Sequence, residues 1–131
     1  MLAVPYESAA HRSMLKHWLL GWKLPLGMLD LLPHHGVIVP DFAVGFVYCT
    51  DSKIAYGDGF IANPQVSREQ RNDALDAVLD GLVETARHLG YHYLWGYTAH
   101  PGVAERGRRH GGVASDEKFT FSSKYLLENL S

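Results

Sequence analysis

Residues 54–98 read IAYGDGFIANPQVSREQRNDALDAVLDGLVETARHLGYHYLWGYT, and the spacing of their apolar side chains changes twice. Residues 54–62 are rich in apolar and aromatic side chains and are followed by Asn-Pro, which is typical of a strand and its exit. From Ser67 to Leu89, apolar side chains recur three or four residues apart, which predicts a long amphipathic helix that ends at Gly90. The aromatic run after Gly90 predicts a buried strand. The stretch therefore predicts a strand, a crossover helix and a second strand parallel to the first.

The residues before this stretch predict more strands and one helix. Apolar runs at 36–39 and 42–49 predict two strands, and the polar turn 50–53 predicts that the second of them forms an antiparallel hairpin with 54–62. Ser8 is a candidate cap for an amphipathic helix. The apolar side chains of that helix recur at helical spacing: Met14, Leu15, Trp18, Leu19 and Trp22.

The residues after this stretch predict a basic helix over 101–110 and a final strand over 119–125. We therefore predict an α/β fold in which a mixed sheet of about six to seven strands is flanked by helices. No repeat or linker divides the chain, so residues 1–131 are expected to form a single domain. Ligands favour the point where parallel pairing is interrupted, which here falls near 60–64 and 95–98.

Composition excludes several functional classes. The formal net charge is -2 and its signs are interspersed, whereas nucleic-acid binding needs a basic surface. No apolar run approaches the roughly 18 residues of a membrane span, and the N-terminus has no signal-peptide pattern. We expect a cytoplasmic protein with neither a nucleic-acid nor a membrane partner.

Cysteine and histidine usage gives no sign of a metal or a disulfide. The only cysteine, Cys49, excludes an internal disulfide, and its apolar surroundings predict a thiol packed in a strand. Among the 8 histidines, the pairs His34-His35 and His88 with His92 have the wrong spacing for a shared metal ion. We expect no metal site.

Four segments occur in a characteristic order along the chain. They are the strand exit at 60–64, the helix end at 84–91, the strand at 93–97, and the segment 99–112, which runs from Ala-His-Pro to Gly-Gly. Together they resemble the GNAT superfamily of acyl-CoA N-acyltransferases, in register from about residue 42 to residue 112. The resemblance implies transfer of an acetyl group from acetyl-CoA to an amine. Some small GNAT-like proteins with altered loops are encoded by phages and prophages, and this chain resembles them.

The resemblance implies a bulge in the strand that ends at residue 62. In the family, the free backbone amides at this bulge bind the pantetheine arm of CoA, and here they belong to Phe60, Ile61 and Ala62. Gly57 and Gly59 agree with a bulge and with close backbone approach. They fit simple packing or strand curvature equally well.

The family also binds the CoA pyrophosphate at a helix N-terminus, through a loop of the form Gln/Arg-x-x-Gly-x-Gly/Ala. That loop falls on residues 70–75, where Gln70 matches and Asp73 replaces the first glycine. The resemblance implies CoA contacts from three consecutive residues, Gln70, Arg71 and Asn72. Residues 67–70, Ser-Arg-Glu-Gln, fit a capping box that competes with anion binding.

N-acyl transfer needs a base for the amine proton and an acid for the departing thiolate. Asp58 is the candidate base, because period-two alternation places it on one strand face with Tyr56, Phe60 and Ala62. The family acid, a tyrosine, corresponds to Gly107, so Tyr97 and His100 are the substitute candidates. A structural role is the alternative for each of these residues.

The acceptor and the oligomeric state stay open at this stage. The acceptor is an unidentified small-molecule or protein amine. The sequence does not identify it, because the resemblance is weakest in the N-terminal helix, which selects the amine. The alternative function is a catalytically degenerate GNAT-like module that binds a protein partner or a small anion. Asp73, Leu75 and Gly107 motivate that alternative. The aromatic content around Trp18 and Trp22 is compatible with a monomer or a homodimer.

Overall fold

The computed structural model describes residues 1–98, 113–114 and 120–125. The strands are β1 Val4–Pro5, β2 Gly36–Val39, β3 Ala43–Tyr48, β4 Ile54–Ala62, β5 Tyr93–Thr98, β6 Val113–Ala114 and β7 Thr120–Tyr125. The helices are α1 Ser8–Gly21, a 3₁₀-helix at Leu26–Asp30, and α2 Arg68–His88. The helix predicted over 101–110 lies outside the described residues.

The strands form one seven-stranded mixed sheet in the order β1-β2-β3-β4-β5-β7-β6. Strands β1, β2 and β3 pair in antiparallel fashion in sequence order, and β7 pairs antiparallel with both β5 and β6. Strands β4 and β5 pair in parallel, and α2 is the helix that connects them. The predicted mixed sheet and its parallel crossover are therefore confirmed.

The chain divides into two compact units. One contains Met1–Phe46 and Gly59–Leu82, and the other contains Val47–Asp58 and Val83–Ser131. Strands β3 and β4 and helix α2 contribute residues to both units. The single domain stays a prediction.

In the first unit, helices α1 and α2 supply buried apolar side chains to the sheet. The buried set from the two helices is Leu15, Trp18 and Leu19 in α1 with Ala74, Val78 and Leu82 in α2. The ring of Tyr6 meets Phe46 edge to face, with centroids 5.2 Å apart. The predicted apolar stripe of α1 is therefore buried as far as Leu19 and includes Trp18. Trp22 lies past the helix and is 45% exposed.

The start of α1 differs from the prediction. Ser8 is the first helical residue rather than the cap, because Glu7 has the extended backbone of an N-cap. The Glu7 amide donates to Nδ1 of His11 at 3.0 Å. A histidine one turn into the helix therefore satisfies the donor at the cap, so the prediction for Ser8 was wrong.

In the second unit, Gly90 ends α2 as predicted. Its φ of +94° is a left-handed conformation that favours glycine. The Gly90 amide donates to the Arg87 carbonyl and the Tyr91 amide to the Ala86 carbonyl, each at 3.0 Å. These two bonds form the reverse turn that satisfies the last carbonyls of a helix.

The Tyr91 side chain hydrogen-bonds with the backbone of the turn that follows β3. The Tyr91 hydroxyl donates to the Thr50 carbonyl at 2.9 Å and accepts from the Thr50 amide at 3.0 Å. Strand β3 ends at Tyr48, so Cys49 lies in this turn and its side chain is exposed. The predicted packed strand thiol at Cys49 was therefore wrong.

Gly45 gives a direct test of packing between sheet and helix. A Cβ added there would lie 2.8 Å from Cε1 of Phe60 and 2.8 Å from Cγ1 of Val78. We expect Gly45→Ala to lower the free energy of unfolding by about 1–3 kcal/mol in urea denaturation, because overpacking forces its neighbours apart.

The matched control for this test is Gly57→Ala in β4. The nearest atoms to a Cβ at Gly57 are those of Leu94, 3.5 Å away, which is an ordinary contact. Both substitutions gain the same strand propensity, so equal unfolding free energies for the two variants would contradict the packing described at Gly45.

Candidate functional site

The parallel pairing beside β4 is short. β4 and β5 pair at Ile54–Tyr93, Ala55–Leu94 and Tyr56–Trp95. β4 then continues to Ala62, while β5 pairs with β7 along its whole length. Interrupted parallel pairing was the feature that the sequence predicted for a ligand site.

Gly59 interrupts the extended backbone of β4. Its φ is +67°, in the left-handed region, whereas a regular strand has negative φ throughout. One residue of this conformation in a strand is typical of a bulge, which redirects the amides that follow it. The backbone at Gly59 therefore agrees with the bulge that the resemblance implied before Phe60, Ile61 and Ala62.

Exposure alternates along β4 on both sides of Gly59. Asp58 and Phe60 are exposed, whereas Gly57 and Ile61 are buried. The Phe60 ring is 39% exposed and lies beside Gly45 and buried Val78. The predicted common face of Asp58 and Phe60 agrees with their shared exposure and stays a prediction.

Asp58 is exposed, and its charge acts on Tyr48. Burial raises the pKa of Tyr48 above its ordinary value of 10.0, and the negative charge of Asp58 raises it further. Tyr48 is therefore a neutral hydroxyl at physiological pH, next to the candidate base. Sequence analysis missed Tyr48, whose signal was only its position at the end of β3.

The N-terminus of α2 is closed by the predicted capping box. The Ser67 amide donates to Oε1 of Gln70 at 3.0 Å, and the Gln70 amide donates to Oγ of Ser67 at 3.1 Å. Residues 70–75 lie inside α2, so the segment aligned with the family's phosphate loop is helical here. Gln70 uses its side-chain oxygen within the cap, and the exposed Asn72 follows one turn into the helix.

Arg71 contacts the protein rather than open solvent. Its Nη1 donates to the Val66 carbonyl at 2.8 Å and reaches the Pro64 carbonyl at 3.5 Å. The guanidinium carbon lies 5.7 Å from the ring centroid of Trp22. Indole Nε1 of Trp22 in turn donates to the Ala62 carbonyl at 2.6 Å.

A cleft of about 350 Å³ lies in the first unit, beside the end of β4. It is lined by His17, Trp18 and Gly21 from α1 and by Asn63, Pro64 and Gln65 after β4. The sequence signal for this region was the Asn-Pro pair, which was recognised as a motif. Nothing in the sequence indicated that the end of α1 would face it.

The remaining catalytic candidates are not described at the level of side chains. The backbone of Tyr97 pairs with Phe121 in the sheet, and its side chain lies outside the described part of the structure. His100 and Gly107 lie outside the described residues. Their roles stay predictions.

Two further properties concern the described ranges 1–98, 113–114 and 120–125. Within them, no three His, Cys, Asp or Glu side chains gather in an arrangement that could hold a metal ion. No helix of this part of the chain is both long enough and apolar enough to span a bilayer.

Comparison of the fold with solved structures gives several matches over nearly the whole chain. The aminoglycoside 6′-N-acetyltransferase from Enterococcus faecium superposes with a TM-score of 0.77 at 9% identity, covering 100% of both chains. Rv2747 from Mycobacterium tuberculosis, solved in complex with CoA, matches with a TM-score of 0.74 at 13% identity, covering 97% of this chain and 100% of that one.

A third match is a GNAT superfamily phosphinothricin acetyltransferase from Sinorhizobium meliloti, in complex with acetyl-CoA. Its TM-score is 0.73 at 13% identity, covering 95% of this chain and 88% of that one. No protein-family model and no curated protein matches the sequence. The structural matches show that the chain has the GNAT acyltransferase fold, as the sequence resemblance implied.

The pair of Tyr48 and Asp58 generates a test of the β3–β4 region. We expect Asp58→Asn to lower the pKa of Tyr48, because it removes a negative charge that disfavours the phenolate. Part of the elevation should persist, because burial is its larger cause. The measurement is a phenolate absorbance titration, taken as the difference between each protein and its Tyr48→Phe counterpart.

The sign for stability follows from the same shift. The folded state prefers neutral Tyr48, so the stability linked to it is complete below pH 10.0 and falls as the pH rises through the elevated pKa. Tyr48→Phe should therefore flatten the alkaline loss of stability. The charge-matched control is Asp51→Asn in the following turn, and an equal effect on Tyr48 from that control would contradict the assignment.

Proposed function

We propose that this protein is a CoA-dependent N-acetyltransferase that transfers the acetyl group of acetyl-CoA to an amine. The observation that carries the proposal is the geometry of β4. Its parallel pairing stops at Tyr56–Trp95, and left-handed Gly59 precedes residues 60–62 on the fold of an acyltransferase. A strand with this interruption suits a ligand that hydrogen-bonds with backbone, as the pantetheine amides would.

Residues 57–62 fit the pantetheine arm of acetyl-CoA. Gly59 carries no side chain that would obstruct an approaching ligand, and the turn of its backbone redirects the amides after it. In this proposal the amides of Phe60, Ile61 and Ala62 hold the arm. The acetyl thioester supplies the electrophile.

Asp58 has the proposed role of base. Attack of the amine nitrogen on the thioester carbonyl forms a C–N bond and breaks the C–S bond, while the amine proton passes to a base and the thiolate takes a proton. An exposed carboxylate on the strand that holds the thioester is suited to the first proton transfer. Tyr97 and His100 are the proposed proton donors to the thiolate.

The N-terminus of α2 fits the pyrophosphate only in part. The capping box occupies the Ser67 and Gln70 amides, so Gln70 and Asn72 would reach phosphate by side chains rather than through a glycine-rich loop. Asp73, exposed in the same helix, adds a negative charge near the proposed anion. We infer that CoA is held mainly through its pantetheine arm and weakly through its phosphates.

The solved structures suggest the class of acceptor. The Enterococcus faecium enzyme is named for aminoglycosides and the Sinorhizobium meliloti enzyme for phosphinothricin, both of them small molecules that carry an amine. The cleft of about 350 Å³ is comparable in size with the smallest ligand pockets. We therefore propose a small-molecule amine as the acceptor, with a protein amine as the alternative.

Calorimetry with acetyl-CoA and desulfo-CoA tests the cofactor half of the proposal. We expect binding of both ligands. We expect Asp73→Ala to tighten binding by about two- to fivefold, because one exposed like charge near a helix end is a modest repulsion. Alanine keeps the helix intact, whereas glycine inside α2 would cost about 1 kcal/mol of helix stability.

The control for Asp73 is Asp80→Ala, the same charge change about two turns further along α2. It should leave the affinity almost unchanged. Absence of heat from every protein in this series would exclude the enzymatic proposal.

The role of Asp58 is tested by turnover. With an amine found by screening, we expect Asp58→Asn to reduce kcat by about 10²- to 10⁴-fold while the affinity for acetyl-CoA is kept, because only the proton transfer is lost. Asp51→Asn is the charge control. Full turnover by Asp58→Asn would remove Asp58 from the mechanism.

A second candidate function is a catalytically degenerate module that binds a partner or a small anion. The capping box of Ser67 and Gln70 favours it, because these protein groups occupy helix-end amides that the family gives to phosphate. A wild-type protein that binds no acetyl-CoA and acetylates no amine would support this function. Turnover of acetyl-CoA with an amine would exclude it.

A further inference from the structure

The peptide that joins Ala62 to Asn63 is held at both of its polar ends. Its carbonyl accepts from Nε1 of Trp22 at 2.6 Å, and its N–H, on Asn63, donates to the Phe42 carbonyl at 2.8 Å. A peptide group has two planar polar ends, so bonds to both define the orientation of its plane. The orientation of the peptide plane after Ala62, the last residue of the proposed pantetheine strand, is thus defined by these two bonds.

The residues after this peptide are held as well. The Asn63 side chain donates to the Asp41 carbonyl and accepts from the Gln65 amide, each at 2.9 Å. Arg71 then binds the Val66 carbonyl at 2.8 Å, with the Pro64 carbonyl at 3.5 Å. These contacts immobilise the connection between β4 and α2.

Trp22 and Arg71 are joined to each other. The Arg71 guanidinium lies over the Trp22 ring, 5.7 Å from its centroid, in a cation–π arrangement. We name this pair, with the carbonyls of Ala62, Pro64 and Val66 that it binds, the Trp22–Arg71 clamp. A planar guanidinium carries five donors in a rigid fork and can stack on a ring, whereas a lysine ammonium is a compact point charge with three donors.

The clamp also adjoins the cleft at the end of α1. A Cβ on Gly21 would lie 2.5 Å from Cγ of Pro64, so the helix end and the connection after β4 are in close contact. Gly21 and Pro64 both line the cleft. The clamp is therefore next to the cavity in which we place the acceptor.

We propose that Trp22 and Arg71 are positioning residues for acyl-CoA, which act by fixing the backbone of residues 62–66 and not by touching phosphate. The inference rests on the proposed function. It assigns Arg71 a role different from the phosphate contact that the sequence resemblance implied. Nη1 of Arg71 contacts two backbone carbonyls, and the guanidinium lies over an aromatic ring, so its observed contacts are with the protein.

Two ligands separate positioning from phosphate contact. Acetyl-CoA carries the pantetheine arm and the phosphates, whereas S-acetylpantetheine carries the arm alone. A backbone effect should weaken both ligands by the same factor. A phosphate contact should weaken acetyl-CoA only, and Arg71→Lys should largely preserve it, because lysine binds phosphate as a point charge.

The experiment compares wild type, Trp22→Phe, Arg71→Lys and the double variant by calorimetry with acetyl-CoA and by competition with S-acetylpantetheine. Trp22→Phe keeps an aromatic ring but removes the five-membered ring that carries the N–H donor. We expect each single change to weaken both ligands by about fivefold, and the double change to weaken them by little more, because the two residues act as one unit. Arg68→Lys, at an exposed arginine one turn earlier, is the matched control.

Thermal unfolding of each variant shows whether a loss of affinity reflects a loss of folding. Losses that multiply in the double variant, losses confined to acetyl-CoA, or full affinity in both single variants would each overturn the inference. A wild-type protein that binds neither ligand would fail earlier, at the proposed function. The two failures are therefore distinguishable.

Discussion

The parallel pairing of β4 with β5 is the constraint on which the candidate site depends. Parallel neighbours cannot be joined by a tight turn, so the chain must leave the sheet and return, and α2 makes that crossover. The return sets where pairing can begin and end. It ends at Tyr56–Trp95, and left-handed Gly59 lies three residues further along β4.

The two ends of the connection between β4 and α2 differ in how their backbone groups are hydrogen-bonded. On the strand side, Gly59 gives β4 a bulge-like backbone with a φ of +67°. On the helix side, Ser67 and Gln70 satisfy end amides with protein groups, and Arg71 turns back to protein carbonyls. The described contacts of the helix side are therefore made within the protein, whereas the strand side has the glycine-bearing, bulge-like backbone on which the proposed function depends.

The contacts after β4 show how residues from two helical regions fix the segment that follows a strand. Trp22 at the end of α1 and Arg71 in α2 are far apart in sequence, yet both bind the carbonyls of residues 62–66. Rigidity of this kind reduces the entropy lost when a ligand binds backbone groups.

The sequence by itself determined the elements and their order. The helical spacing of apolar residues from 67 to 89, the glycine at 90 and the capping box at 67–70 are local signals, because each depends on groups within one or two turns. The mixed sheet with a parallel crossover followed from the order of those elements. The family resemblance to GNAT acyltransferases followed from motifs in the same stretch, and the fold agrees with it.

Only the tertiary structure decided which side chains meet. The extended strand expected to include Cys49 ends one residue earlier, because Tyr91, about forty residues along the chain, binds both polar groups of Thr50. The same holds for Trp22, a member of an apolar stripe in the sequence and a hydrogen-bond donor to Ala62 in the fold. Hydrogen bonds between distant residues depend on three-dimensional proximity, which periodicity does not contain, so the candidate site could be located from the sequence but its contacts could not.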